Sequence, residues 1–406
     1  MLWRGASILT VVASEMRKGR PEEARRLTLE GQKLCETLQI PGYSVHGATL
    51  MLGEIGWQQG RLHQAEQYYR QLLVSSKENP VDLMAARLGL AKVFYEWNHL
   101  AEAEQSVAQV LELGKAHLDE LGKYFVEVGF LFPASLLQAR LSQARGEYVQ
   151  AQESLQQLLA EALAHQWTSL STMALAQQVE LALATGLLTS VEDWQATSNP
   201  PDDEDSTMQQ EQDALLRARL LIARGAITEA LRHLRTWQED ARTWKRLRSE
   251  LEIQVLLSLA YAASSCPAQA RQALKEALIL AQPEGFQRLF LEKGEELKAL
   301  LRALFIDLRE EPLVGYMRDL LLAFASQERG HQAAMRGSSA LLLEPLTEAE
   351  QRVLGLLAQG RTNPEIAATL VVSINTVKTQ VQSIYRKLNV KSRWEASEAA
   401  HRLDLC

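Results

Sequence analysis

Asn363–Val390 reads NPEIAATLVVSINTVKTQVQSIYRKLNV. Within it Val377, Val381, Ile384 and Leu388 recur at i, i+4, i+7 and i+11, the spacing of one apolar stripe on a helix. That stripe is expected to pack on Ile366, Ala367 and Leu370 of a shorter helix just before it, with Ser373 opening and capping the second helix. Two short helices joined by a tight turn form the unit that places its second helix in a DNA major groove. The polar side of that helix carries Thr379, Gln382 and Arg386, flanked by Asn375 and Lys378. Amide, ammonium and hydroxyl groups are the ones that match base edges. No carboxylate lies between Glu365 and Glu395, so nothing on this surface repels phosphate, and Lys387, Lys391 and Arg393 form a basic cluster suited to the backbone.

The flanks extend this pattern into four short helices. Thr347 with Glu350 makes a capping box ahead of Val353, Leu354, Leu356 and Leu357, and Ser392 with Glu395 makes one for the last helix. Thr362 with Glu365 makes another, with Pro364 in the tolerated first turn, although Asn363 would serve as the cap equally well. Residues 346–406 hold eight Lys/Arg against six Asp/Glu, a net of +2, while the preceding residues hold 35 against 44, a net of −9. DNA contact must therefore come from a few placed residues and not from bulk charge.

Upstream, one fragment recurs: an apolar helix, a small turn residue, then five positions later a small apolar residue that begins a second helix. The pairs are Gly19/Ala24, Gly60/Ala65, Asn98/Ala103, Gly146/Ala151, Gly186/Val191, Gly225/Ala230 and Ser265/Ala270. Intervals between the turn residues are 41, 38, 48, 40, 39 and 40. Paired helices at a period near 40 residues mean a solenoid, in which each hairpin buries its apolar stripe on its neighbours. Aromatics such as Trp57 and Phe94 fall on the inward faces and read as core. Asn199–Ser206, NPPDDEDS, reads as a solvated acidic loop, since its run of acids lacks the spacing of a calcium loop. Pro283 and Gly285 interrupt the helix after the last repeat, a further helix is expected to about Ala325, and residues 327–345 lose periodicity and read as a linker. The expected architecture is all-α: a TPR-like solenoid over 1–326, the linker, and a four-helix unit over 346–406.

Other classes are disfavoured. Cys35, Cys266 and Cys406 form neither CxxC pairs nor a His/Cys cluster, as expected of reduced thiols. No apolar run reaches the roughly 20 residues of a membrane span. The apolar patch Ile8–Ala13 is broken by Thr10 and leads into the repeats, which argues against an export signal and for a cytoplasmic protein. The His residues are scattered, with His63, His99 and His233 expected in turns or on polar faces, and no nucleophile–base set or metal spacing is present. The chain also lacks GxxxxGK followed by Ser or Thr, so no phosphate loop, no cofactor and no enzyme is expected.

LTEAEQRVLGLLAQGRTNPEIAATLVVSINTVKTQVQSIYRKLNVKSRWEA, residues 346–396, resembles the LuxR-type DNA-binding domain nearly end to end. That resemblance puts Lys378, Thr379 and Gln382 at positions that face bases. Thr362, Asn363, Thr376, Lys387 and Arg393 fall at positions that meet phosphate or sugar, with Lys391 beside them. It also makes the last helix a dimerisation element. Ala349, Gln380 and Gln382 depart from the family pattern, where basic or His residues are common, and so bear on affinity and target sequence.

Repeats followed by this domain, with PEGFQRLFLEKG at 283–294, resemble the C-terminal half of the large MalT-like, ATP-dependent LuxR regulators. The chain is then either a short relative or a piece of a longer one. The resemblance implies a transcription regulator that binds double-stranded DNA as a homodimer, with a small-molecule or protein effector in the solenoid groove and RNA polymerase as a further partner. The competing reading is an interaction scaffold whose tail has lost DNA binding.

Overall fold

In a computed structural model of the chain, the described residues are 2–37, 43–76, 79–186, 207–307, 313–340, 347–358, 361–370, 372–388 and 396. Among them every regular element is helical, and the chain divides into two units, Met1–Gln327 and Glu328–Cys406.

The first unit is built of helical hairpins: α1 (Leu2–Arg17) with α2 (Pro21–Thr37), α3 (Tyr43–Gln58) with α4 (Leu62–Ser75), and α5 (Pro80–Glu96) with α6 (Leu100–Ala116). They continue with α7 (Phe132–Ala144) and α8 (Tyr148–Ala164), then α9 (Thr168–Thr185); its expected partner around Val191 and the acidic stretch 199–206 lie outside the described residues. The last two pair α10 (Thr207–Ala223) with α11 (Ile227–Thr243) and α12 (Leu247–Ala263) with α13 (Pro267–Ala281).

All seven turn residues of the repeat have positive φ, including the two that are not glycine, Asn98 at 61° and Ser265 at 57°. Each ends the first helix in a left-handed residue. At Asn98 the His99 N–H reaches back to the Phe94 carbonyl at 2.8 Å, the long-range bond of a Schellman cap. Ala24, Ala65, Ala103, Ala151, Ala230 and Ala270 are fully buried, as close approach of paired helices requires. The one long interval, 48 residues, is filled by two single helical turns, Leu118–Leu121 and Lys123–Val126, and a π turn, Glu127–Leu131. Two glycines have a second duty. A Cβ on Gly19 would lie 3.0 Å from the Arg246 guanidinium, and one on Gly60 would lie 2.9 Å from the Arg248 backbone nitrogen.

Those contacts show that hairpins far apart in sequence touch. Arg246, fully buried, donates to the Gly19 carbonyl at 3.1 Å and pairs with Glu211 of α10. Arg248 donates to Glu96 of α5 at 3.0 Å. The segment after α13 completes the tie. Gln287 N–H donates to the Glu96 carbonyl at 2.8 Å, and Trp97 Nε1 donates to the Glu284 carbonyl at 2.8 Å. Arg219 donates to the Glu292 carbonyl at 2.7 Å, while Arg140 and the Tyr95 hydroxyl donate to the Glu292 carboxylate. Burial pushes the Glu292 carboxyl up, but Arg140, Arg288 and Lys293 outweigh it and hold it at about 2. Phe286, Leu289, Phe290 and Leu291 of the same segment are buried in the main apolar cluster with Leu90, Val93 and Leu256. The segment after α13 is therefore packed into the core of the repeat unit and bonded to hairpins far apart in sequence.

Beyond it come α14 (Gly294–Asp307) and α15 (Leu313–Ala340). α15 runs some fifteen residues past the expected end at Ala325 and through most of the expected linker. No proline interrupts it, and Gln, Glu, Arg, Ala and Met are good helix formers that tolerate Gly330 and Gly337. Leu313, Met317, Leu320 and Phe324 are buried at its start. Among the described residues, no helix is long and apolar enough to cross a membrane.

Candidate nucleic-acid interface

The second unit contains α16 (Glu348–Ala358), α17 (Asn363–Leu370) and α18 (Ile374–Leu388). Its core is Val353, Leu354 and Leu357 of α16, Ile366 and Ala367 of α17, and Val377, Val381 and Ile384 of α18, closed by Ala396. Ala396 is the one described residue of the expected fourth helix. The expected Ser392/Glu395 box, Lys391, Arg393 and the last helix expected to dimerise lie outside the described residues.

Local capping fixes each helix start. Thr347 N–H and its hydroxyl both donate to Glu350 Oε2, at 2.7 and 2.9 Å, and Glu350 N–H returns to Thr347 Oγ1 at 3.3 Å. Thr362 N–H and hydroxyl donate to Glu365 at 2.7 and 2.8 Å, and its carbonyl accepts from Ile366, which makes Thr362 the cap and Asn363 the first helical residue. Thr376 N–H donates to Ser373 Oγ at 3.1 Å, and the two hydroxyls share a 2.8 Å bond. Thr362 and Thr376 are exposed and Asn363 half-buried, so both helix starts present capped, hydroxyl-bearing ends.

Lys378, Thr379 and Gln382 are all exposed on one side of α18, with Asn375. The Thr379 hydroxyl donates to the Asn375 carbonyl at 3.0 Å, which leaves its oxygen lone pairs and methyl group outward. Lys387 does something that sequence reasoning missed. Its ammonium donates to Glu350 Oε2 at 2.8 Å, and its side chain is 10 % exposed. Ser383 donates to the other oxygen of Glu350 at 2.7 Å. Burial pushes the Glu350 carboxyl up, yet the bonds from Lys387, Ser383 and Thr347 together hold it at about 2. Glu350 thus joins the cap of α16 to the far end of α18, and Lys387 is spent on that joint instead of facing outward. Only its i−4 neighbour Ser383, on the same side of α18, hinted at this in the sequence.

Comparison with known proteins adds the family. Residues 1–307 match the family described as the MalT-like TPR region, and residues 344–400 match the bacterial regulatory proteins of the luxR family. This chain belongs to the MalT-like, LuxR-type family. The HTH-type transcriptional regulator MalT of Yersinia enterocolitica is 30% identical over 334 residues, covering 77% of this chain and 35% of that protein. MalT of Vibrio parahaemolyticus is 25% identical over 428 residues, covering 99% of this chain and 46% of that protein. MalT of Vibrio campbellii is 26% identical over 331 residues, covering 77% of this chain and 35% of that protein. The MalT-like chain therefore spans less than half the length of these relatives.

Proposed function

We propose that this chain is a cytoplasmic transcription regulator that binds double-stranded DNA by placing α18 in the major groove, and that its helical-repeat unit is the sensor that controls it. The observation that carries the reading is the outward side of α18, where Lys378, Thr379 and Gln382 stand exposed on a helix fixed by its Ser373 cap. No acid occurs from Ile366 to Trp394. Lys378 and Gln382 read base edges, with Thr379 between them offering an acceptor and a methyl group. Thr362, Asn363 and Thr376 meet phosphate or sugar at the two helix starts, and Lys391 and Arg393 add backbone contacts beyond α18. Lys387 holds the helix in place through Glu350.

A unit with so few placed charges binds best as a homodimer, and a small-molecule or protein effector acting on the repeats would set that equilibrium. RNA polymerase is the further partner of a regulator of this kind. The domain division that goes with the reading is sensor 1–326, connection 327–345 and DNA-binding unit 346–406. Selection of duplexes from a random library by the full chain, followed by titration of salt, tests it. Enrichment of a recurring sequence is expected, with affinity that falls as salt rises. Absence of all duplex binding at low salt would refute it and leave the interaction-scaffold reading.

A further inference from the structure

Among the described residues of the second unit, two large apolar side chains stand exposed, Val372 at 39 % and Ile374 at 46 %. Isolated exposed apolar residues are ordinary on any surface. These two flank Ser373, the residue whose hydroxyl caps α18, so the helix begins with an apolar shoulder on either side of its cap. Ile374 is the first residue of α18 and lies one turn before Lys378, which puts the two side chains on neighbouring parts of one face. In helix-turn-helix units the N-terminal residues of the second helix reach the base edges. The thymine C5-methyl is the apolar feature that a base pair presents in the major groove. The surrounding charge suits DNA as the occupant, since residues 366–394 hold five Lys/Arg and no Asp/Glu.

We propose that Ile374 is a specificity-determining residue that packs on a thymine methyl, adding an apolar contact beside the polar readers Lys378, Thr379 and Gln382. This rests on the DNA-binding reading above. A methyl-sized contact removed from water corresponds to ~0.8 kcal/mol, or about fourfold in affinity.

Duplexes selected by the full chain supply the probe. Each thymine of the selected site is replaced in turn by deoxyuracil, which removes the methyl and leaves the hydrogen-bonding edge unchanged. The wild-type chain should lose about fourfold at one such position. Ile374→Ala should bind thymine and deoxyuracil duplexes equally there while keeping its response to changes at the other positions. Ile374→Val, which retains a branched apolar tip, should fall between the two. A wild-type chain indifferent to every replacement, or an Ile374→Ala chain that keeps the fourfold ratio, overturns the assignment. Selection that enriches no duplex at all would overturn the DNA-binding reading and this assignment together, a result distinct from either of those.

Discussion

Lys387→Met separates the phosphate contact that the family resemblance implies for this residue from the joint with Glu350 that the structure shows. The substitution keeps the aliphatic stem and deletes the charge, leaving the Glu350 carboxylate buried against Thr347 and Ser383 without its cation. Two magnitudes bracket the cost. A hydrogen bond to a charged group contributes about 1.5–3 kcal/mol. The depression of Glu350 from 4.5 to about 2 corresponds to roughly 3 kcal/mol. Lys387 supplies only part of that depression, so a loss of about 2–3 kcal/mol is expected. Native-state hydrogen exchange in the full chain, read at the amides of residues 377–388, should show opening free energies lower by that amount. The double variant Glu350→Gln/Lys387→Met should recover about half of it, because the unpaired charge is gone. The salt dependence of DNA binding should stay as in the wild type. Unchanged protection of α18 together with a salt slope reduced by about one would return Lys387 to the phosphate backbone.

Further outcomes follow from other sites. Lys378→Ala should cost about 1–3 kcal/mol on a selected duplex and much less on random duplexes, measured by fluorescence anisotropy, with the melting curve unchanged. Tyr69, fully buried, lies between α3 and α5, where a Cβ on Gly53 would sit 2.7 Å from its Cε1 and one on Gly89 closer still. Gly89→Ala should therefore destabilise the repeat unit by about 1–3 kcal/mol in urea titration. Glu350 has a folded-state pKa of about 2 against 4.5 unfolded, so its stabilisation is complete above about pH 4.5 and lost as pH falls toward 2. Exchange protection of α18 should decline over that window in the wild type and decline less in Glu350→Gln.

What the sequence disclosed, and what it withheld, divides by the range of the interaction. The seven turn residues were legible because a left-handed residue is chosen locally, and Gly, Asn and Ser advertise it. Gln166 and Lys245 adopt the same conformation, at φ 57° and 53°, and were not legible, because nothing in those side chains favours it. There the hairpins on either side fix the turn. The caps at Thr347, Thr362 and Ser373 and the Val377/Val381/Ile384 stripe were likewise local patterns. The tie of Lys387 to Glu350 was not legible because its partner lies 37 residues away on another helix, and a basic residue at the end of a basic helix looks the same whether it faces water or a buried carboxylate. The full length of α15 is not legible because Gly and Ser weaken a helix without ending it, and no proline enforces a stop there. The pairing of Gly53 and Gly89 around Tyr69, and the ties at Arg246, Arg248 and Glu292, depend on how the hairpins stack, which a period in the sequence does not state.

The tie between the segment around Glu292 and the third and fourth hairpins has a bearing on how the protein is made. Tyr95 and its partner Glu292 are 197 residues apart. At a ribosomal rate of roughly 5–20 residues per second, Tyr95 waits about 10–40 s after synthesis for its partner, and Arg140, 152 residues before Glu292, about 8–30 s. During that interval Tyr95 and Arg140 of the early hairpins stand without the carboxylate that they bind, in reach of chaperones and of other nascent chains. Synthesis halted before residue 284 would leave them in that state permanently.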